Sequence, residues 1–559
     1  MTRIFCPIHR LTSIALLAGA LLLSGGCQST PASKSGPGAR LYDGFGGYHR
    51  AVTTDSPKAQ KWFDQGLQLL YGFNHDEAIR SFQEATRHDP DCAMAWWGVA
   101  YAAGLHINNP AMPEAKSKLA YDSAQEAMKR LDHASPVEQA LIRAVASRYE
   151  YPNPADRSRL DQAYADAMQR AWEQYPDDPD VGALFAESLM DLQPWDLWTH
   201  DGQPKGRTLE IAATLERVIE LDPMHPGANH FYIHTMEASL EADKAVPAAD
   251  RLADLVPGSG HLVHMPSHIY ARVGRYAEAA DANTRAVAAD RRYFKVAPAP
   301  DFYSMYYVHN LHFLAYAAMM EGRYETAIKA ARDLEKEIPE NFIREYPQYA
   351  DGFMPIAYHV LIRFGRWEDV LAAPEPPEFR HISRATHHYA RGVAFSATGR
   401  TQEARAELTA FEREAALIPE DWRIGQNLAS SVIPIARQML AGELAYREGD
   451  YDDAFAALRR GVALEEQLIY DEPPGWMQPV RHALGALLMG ADRAEEAEQV
   501  YRDDLKRQPR NGWALLGLEK ALRAQGKDAA AETLTAALAT AWARADVRPT
   551  SSCYCEPGS

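Results

Sequence analysis

Small and large residues recur along this chain with a period suited to stacked pairs of helices. Trp62, Gly66, Ala78, Phe82, Ala85 and Pro90 follow one another in that order near the start. Glycine and alanine let two antiparallel helices touch, the aromatic rings fill the wedge between pairs, and the proline ends the second helix. Further along, His230 and His264 lie 34 residues apart, as do His234 and His268, and Pro223 and Pro257. A repeat of that length is one helix-turn-helix unit, which cannot bury its apolar face alone and must stack on neighbours.

These positions resemble the tetratricopeptide repeat family. Gly274-Arg275-Tyr276 with Ala279, Gly322-Arg323-Tyr324 with Ala327, and Gly449-Asp450-Tyr451 with Ala454 each read as the turn and second helix of a unit. Gly365-Arg366-Trp367 and Gly399-Arg400 with Ala404 are looser copies, and Gly485, Ala497, Tyr501 and Pro509 form another good match. The resemblance implies an all-α solenoid, a right-handed superhelix of roughly ten to twelve helix pairs. It is specific for fold and silent on activity. We expect the solenoid over residues 51–545, with Pro- and Trp-rich insertions at Asp191–Arg207, Asp290–Asp301 and Leu371–Phe379. Insertions of this kind collect on one side of a solenoid, often beside its binding surface.

The start of the chain reads differently. Arg3, His9 and Arg10 precede an apolar run from Leu11 to Leu23 and the small residues before Cys27, the pattern of a secretory signal. Leu23 to Cys27 resembles the lipobox of bacterial lipoproteins, which implies acylation of Cys27 as the mature N-terminus. Gln28 after it implies the outer membrane, facing the periplasm. A plain secreted protein cut nearby is the alternative. We therefore assign residues 1–27 to a lipoprotein signal peptide, 28–50 to a flexible tether and 546–559 to a polar tail. After processing, Cys92, Cys553 and Cys555 remain, too few for the disulfide framework of a small secreted domain. Cys553-Tyr554-Cys555 could bind a soft metal, or be a mobile tail that carries two thiols.

A formal charge of −18 argues against nucleic-acid binding, which needs a basic face, and leaves the N-terminal lipid as the membrane contact. The chain holds no phosphate-binding Gly-rich loop, no Gly-x-Ser-x-Gly and no Cys-x-x-Cys, so nucleotide, serine-hydrolase and thioredoxin readings lack support.

The histidines carry the functional expectation. In tetratricopeptide arrays the first helix of each pair lines a concave groove. Helices starting near Pro226 and Gly260 place His230 with His234, and His264 with His268, at equivalent groove positions. His261 and Glu237 fall on the same face. A helix starting near Val308 adds His309 and His312, and one starting at Pro176 adds Glu187. Imidazoles four residues apart on a helix can chelate one ion. With a carboxylate they suit Zn, Mn, Fe, Ni or Cu rather than Ca or Mg. We take His230, His234, His264, His268, His309, His312, Glu237 and Glu187 as candidate metal ligands. If one coordination position stays open, hydrolysis becomes feasible with Glu237 as general base. Two other readings stand beside this one: a metal-free groove for a peptide or protein partner in an envelope assembly, and histidines that only bond neighbouring carbonyls. The run His261 to Tyr270, His-x-x-His-Met-Pro-Ser-His-Ile-Tyr, is also similar to a group of bacterial tetratricopeptide lipoproteins, a likeness that implies no activity.

Lesser features complete the picture. Pro266 falls early in a helix and permits a bend. Trp195-Asp196-Leu197-Trp198 reads as a lid or as a pin for its insertion. His106 to Pro110 reads as a neighbour of the groove, His387-His388 as packing, and Tyr470 to Trp476 as a structured loop between units.

Overall fold

The computed structural model describes residues 39–297 and 302–556, so the residues read from sequence as a signal peptide, with Cys27, lie outside it. Helices follow one another as antiparallel pairs, beginning with Pro57–Tyr71 against His75–His88 and Ala93–Ala102 against Glu114–Met128. The array continues to Ala494–Arg507 against Gly512–Ala524. Among the described residues the only ladder of strands is the ribbon of Arg423–Ile424 with Asn427–Leu428. The chain is thus an all-α solenoid of the tetratricopeptide type.

Local chemistry starts these helices where they start. Ser56, Asn74 and Asp178 accept the orphan amides of Ala59, Glu77 and Val181. Pro57, Pro179 and Pro226 occupy first turns, where no amide is missed. Packing then obeys the small-large pattern. Phe82 lies between Gly66 and Gly98, where a Cβ would stand 2.7 and 2.4 Å from its ring. Tyr501 sits the same way between Gly485 and Gly517, at 2.4 and 2.1 Å.

Two helix starts differ from the sequence reading, and the bend expected at Pro266 is a break. Ser304–Met320 begins a turn before Val308, and Pro179–Met190 begins after Pro176, at the proline that follows the Asp178 cap. Pro266 splits its helix into Gly260–His264 and Pro266–Arg272, because it cannot donate an amide to the ladder.

Both ends of the array fold back onto its middle. The Gly258 amide donates to the Gly44 carbonyl at 2.7 Å, and Arg50 pairs with Asp178 and Asp180 at 2.8 Å. Residues 39–50, read from sequence as tether, are therefore docked. At the other end, the Trp513 indole N–H donates to the Met319 carbonyl at 2.9 Å, and Arg544 pairs with Asp281 at 2.7 Å. The C-terminal tail is likewise packed rather than free. Ser552 hydrogen-bonds Tyr501 at 2.7 Å, Cys555 is buried, and Cys553 and Cys555 are bridged to one another. No helix among the described residues is long and apolar enough to cross a membrane.

Candidate metal centre

The predicted open groove is closed over its histidines. His230, His234, His261, His264 and His268 are each at most 4% exposed, and His309 and His312 are half-buried. Covering them are Phe73 from the first helix pair, Trp195 from the insertion and the loop at Asp471 and Glu472 from a distant repeat. The Phe73 and Trp195 rings gain by leaving water for this face.

Beneath this cover the imidazoles converge. Three groups offer ligand atoms that all lie within 4.8 Å of one another: His230, His234 and His261; His264, His268 and His309; and His234, Glu237 and His268. His264 Nε2 faces His268 Nε2 at 2.7 Å, His230 Nε2 faces His261 Nε2 at 3.1 Å, and His309 Nε2 lies 3.5 Å from His268 Nε2.

The outer nitrogens decide which atoms are free to bind. His230 donates its Nδ1–H to the Tyr71 carbonyl at 2.7 Å, and His264 donates its own to Asn283 Oδ1 at 2.6 Å. The Asn283 amide group itself donates to the Ala279 carbonyl, which leaves its oxygen toward His264. Glu237 takes the remaining two, from His268 at 2.5 Å and from His234 at 3.1 Å. Each of these four rings thus carries a proton outside; His230, His234 and His264 turn a bare Nε2 lone pair inward, and that of His264 faces His268 Nε2. His234 Nε2 is buried with no partner at all.

Electrostatics agree with that assignment. Burial pushes His230, His261, His264 and His309 well below the ordinary imidazole range, so they are neutral. His268 is the exception: burial works against its charge, but the Glu237 carboxylate outweighs it and its pKa rises, which favours a second proton on Nε2, donated to His264. Burial would raise Glu237, yet His268 and His234 hold it down at about 2. Neutral imidazoles whose outer N–H is held by a carboxylate or a carbonyl are the form in which histidine ligates metals.

The remaining sequence candidates fall elsewhere. Glu187 is buried in a different network, where it accepts from the Tyr101 hydroxyl at 2.5 Å beside the Arg148–Asp191 pair. The register of Pro179–Met190 turns it to those residues, and it belongs to none of the donor groups. His312 packs edge-on against Phe353 at 5.2 Å, its pKa lowered by burial to about 3, and also stands outside the groups. Both Glu237 oxygens are engaged by histidine N–H groups, so the general-base position expected of it is filled by another duty.

Sequence reading missed Glu472. Its Oε2 lies 3.7 Å from His268 Nδ1 and finds no hydrogen-bond partner, while burial, outweighing His268, raises its pKa to about 8. Nothing in the sequence ties residue 472 to residue 268; only the chain's return does. Asp471 beside it is held by the Gln426 amide at 2.7 Å. Around these groups lies a cavity of about 120 Å³ walled by Trp195, Tyr306, Phe353, Met477 and His359. The Trp195 insertion proves to be both pin and lid: Trp198 donates to the Thr235 carbonyl at 2.6 Å, and Trp195 stands edge-on to His234 at 5.3 Å. Phe73 and Trp195 hold left-handed backbone, with φ of 56° and 62°. Such strain costs about 1–3 kcal/mol per residue and collects at functional sites. His106 stacks on Phe73 at 4.3 Å, as its predicted place near the histidines requires. His387 and His388 bond Tyr358 and Glu407, a packing role.

No protein-family model matches the chain, and no curated protein matches it. Among solved structures, the APC/C hetero-tetramer Cut9–Hcn1 is similar at 14% identity, over 83% of this chain and 76% of that one, with a TM-score of 0.30. The human IFIT1 dimer with m7Gppp-AAAA shares 12% identity over 80% of this chain and 90% of that one, with a TM-score of 0.33. Yeast Tom70 shares 10% over 85% and 89%, with a TM-score of 0.27. At such scores these likenesses decide neither fold nor function; the helix pairs and the histidine geometry stand on their own.

Proposed function

We propose that this chain is an exported, lipid-anchored helical-repeat protein of the cell envelope that binds a transition metal at its centre through His230, His234, His264 and His268. His261 and His309 complete the donor set, and Glu237 orients it. One observation carries the reading: four buried rings give their Nδ1–H groups to outer acceptors and turn their Nε2 atoms to one another. His264 Nε2 and His268 Nε2, 2.7 Å apart, share a cation between them: a proton from His268 in the metal-free protein, which an incoming ion displaces. A four-coordinate ion with nitrogen ligands at about 2.0–2.1 Å spaces those nitrogens by about 3.3 Å, so a small opening of the pair admits it.

Metal-dependent hydrolysis is a second reading, favoured by Glu472 at the cavity, whose Oε2 has no hydrogen-bond partner and whose raised pKa suits a proton-transferring group. A partner peptide in a metal-free groove has less support, because the histidine face is already covered by the protein itself. Elemental analysis of the chain lacking residues 1–27, purified without a histidine tag, tests the metal reading. Near-stoichiometric transition metal that disappears in a His234→Ala/His268→Ala variant supports it. No metal after reconstitution with Zn(II), Cu(II), Ni(II), Mn(II) or Fe(II) removes it.

A further inference from the structure

Six donor imidazoles are more than one ion of the favoured class uses. A zinc-like ion takes four ligands, and at a reactive site three from the protein. A single ion would leave two or three of these buried Nε2 atoms outside its coordination sphere. The geometry divides the six without remainder. His230, His234 and His261 form one cluster and His264, His268 and His309 the other, and no residue is shared between them. Between the clusters stands Glu237, whose two oxygens take the Nδ1–H of His234 from one and of His268 from the other. A carboxylate in that position fixes one ring in each cluster at once.

Each cluster also reaches the same cavity. His234 and His261 of the first, and His268 and His309 of the second, line it, and Glu472, whose Oε2 has no hydrogen-bond partner, closes it on the side of the distant loop. We propose that the six histidines form two adjacent three-histidine metal sites, held in common by Glu237, with the free position of each ion opening onto this cavity. This rests on the metal reading above and extends it from one ion to two. The ligands are divalent first-row ions that favour imidazole, Cu(II) and Zn(II) foremost. A small molecule in the cavity would meet both ions, the arrangement by which paired metals clamp one substrate from two sides.

The test uses the chain lacking residues 1–27, stripped with chelator and reconstituted with Zn(II) or Cu(II). Metal content and a competition titration should both saturate at two equivalents per chain. With Cu(II), two ions in adjacent sites interact magnetically, so the electron paramagnetic resonance signal should broaden or integrate to under the copper bound. His261→Gln and His309→Gln should each lower the content to about one equivalent and restore a full-intensity signal, since each cluster then lacks one of its three nitrogens. Stoichiometry and spin count on the unmodified chain do not depend on how any variant folds. Saturation at one equivalent, with full spin intensity, overturns the two-site proposal while leaving metal binding intact. Saturation at zero removes both.

Discussion

Replacing Glu237 by glutamine isolates what its charge and both its oxygens do. The carboxylate accepts from His234 Nδ1 and His268 Nδ1 together. Glutamine keeps the shape but offers one oxygen and one NH₂ group, so it can accept from only one ring. The other ring must move its proton to Nε2 to accept from the new amide, and its inward lone pair is lost. One of the three nitrogens in one cluster therefore leaves the ligand set. Loss of such an outer carboxylate costs about 10–100-fold in metal affinity, or about 1.4–2.7 kcal/mol. That matches the roughly 1.5–3 kcal/mol of a hydrogen bond to a charged group. We expect Glu237→Gln to weaken one zinc equivalent by that factor in competition with a chromophoric chelator, with circular dichroism unchanged. The reasoning is refuted if Glu237→Gln binds every equivalent within about threefold of the parent affinity, well inside the range for an orienting carboxylate.

Three further outcomes test the surrounding structure. Gly227→Ala places a Cβ 2.4 Å from the Tyr71 ring, whose own backbone carbonyl holds His230; overpacking of this kind costs about 1–3 kcal/mol, and both urea unfolding and zinc affinity should report it. Asp290 is raised by burial to about 7 despite bonds from Tyr303 and Asn310. Because its folded pKa lies above its unfolded value of about 4, its stabilisation is complete below pH 4 and is lost as pH rises through about 7. Asp290→Asn should flatten that decline in a series of melts from pH 4 to 8, and an unchanged slope would exclude Asp290 as its source. Deleting residues 546–559 removes the Ser552–Tyr501 bond and the Asp546 cap on the Tyr324 and Glu325 amides. The melting temperature should fall, by about 2–4 °C per kcal/mol lost in a domain of a few hundred residues; an unshifted melt would show the tail to be dispensable.

The helix pairs were legible because their causes are local. Phe82 between Gly66 and Gly98, and Tyr501 between Gly485 and Gly517, are contacts within a unit or with the next, so sequence spacing encodes them directly. The pairing of His230 with His234 and of His264 with His268 follows from the helical period. Helix starts were less secure, since a cap or one more turn moves a register. That is how Glu187 came to be counted with the histidines while the fold gives it to Tyr101 and Arg148.

By itself, then, the sequence determined an all-α array of stacked helix pairs and an accumulation of imidazoles on its middle units. Tertiary structure decided that this face is an interior and not a groove. Tyr71 and Phe73 reach it from the first unit, Trp195 from an insertion, and Asp471 and Glu472 from a loop far along the chain. No periodicity announces those meetings, because they depend on how small rotations from one pair to the next add up over the whole solenoid. The same accumulation brings the outer acceptors to the rings, and those acceptors fix which nitrogen of each histidine is left to bind.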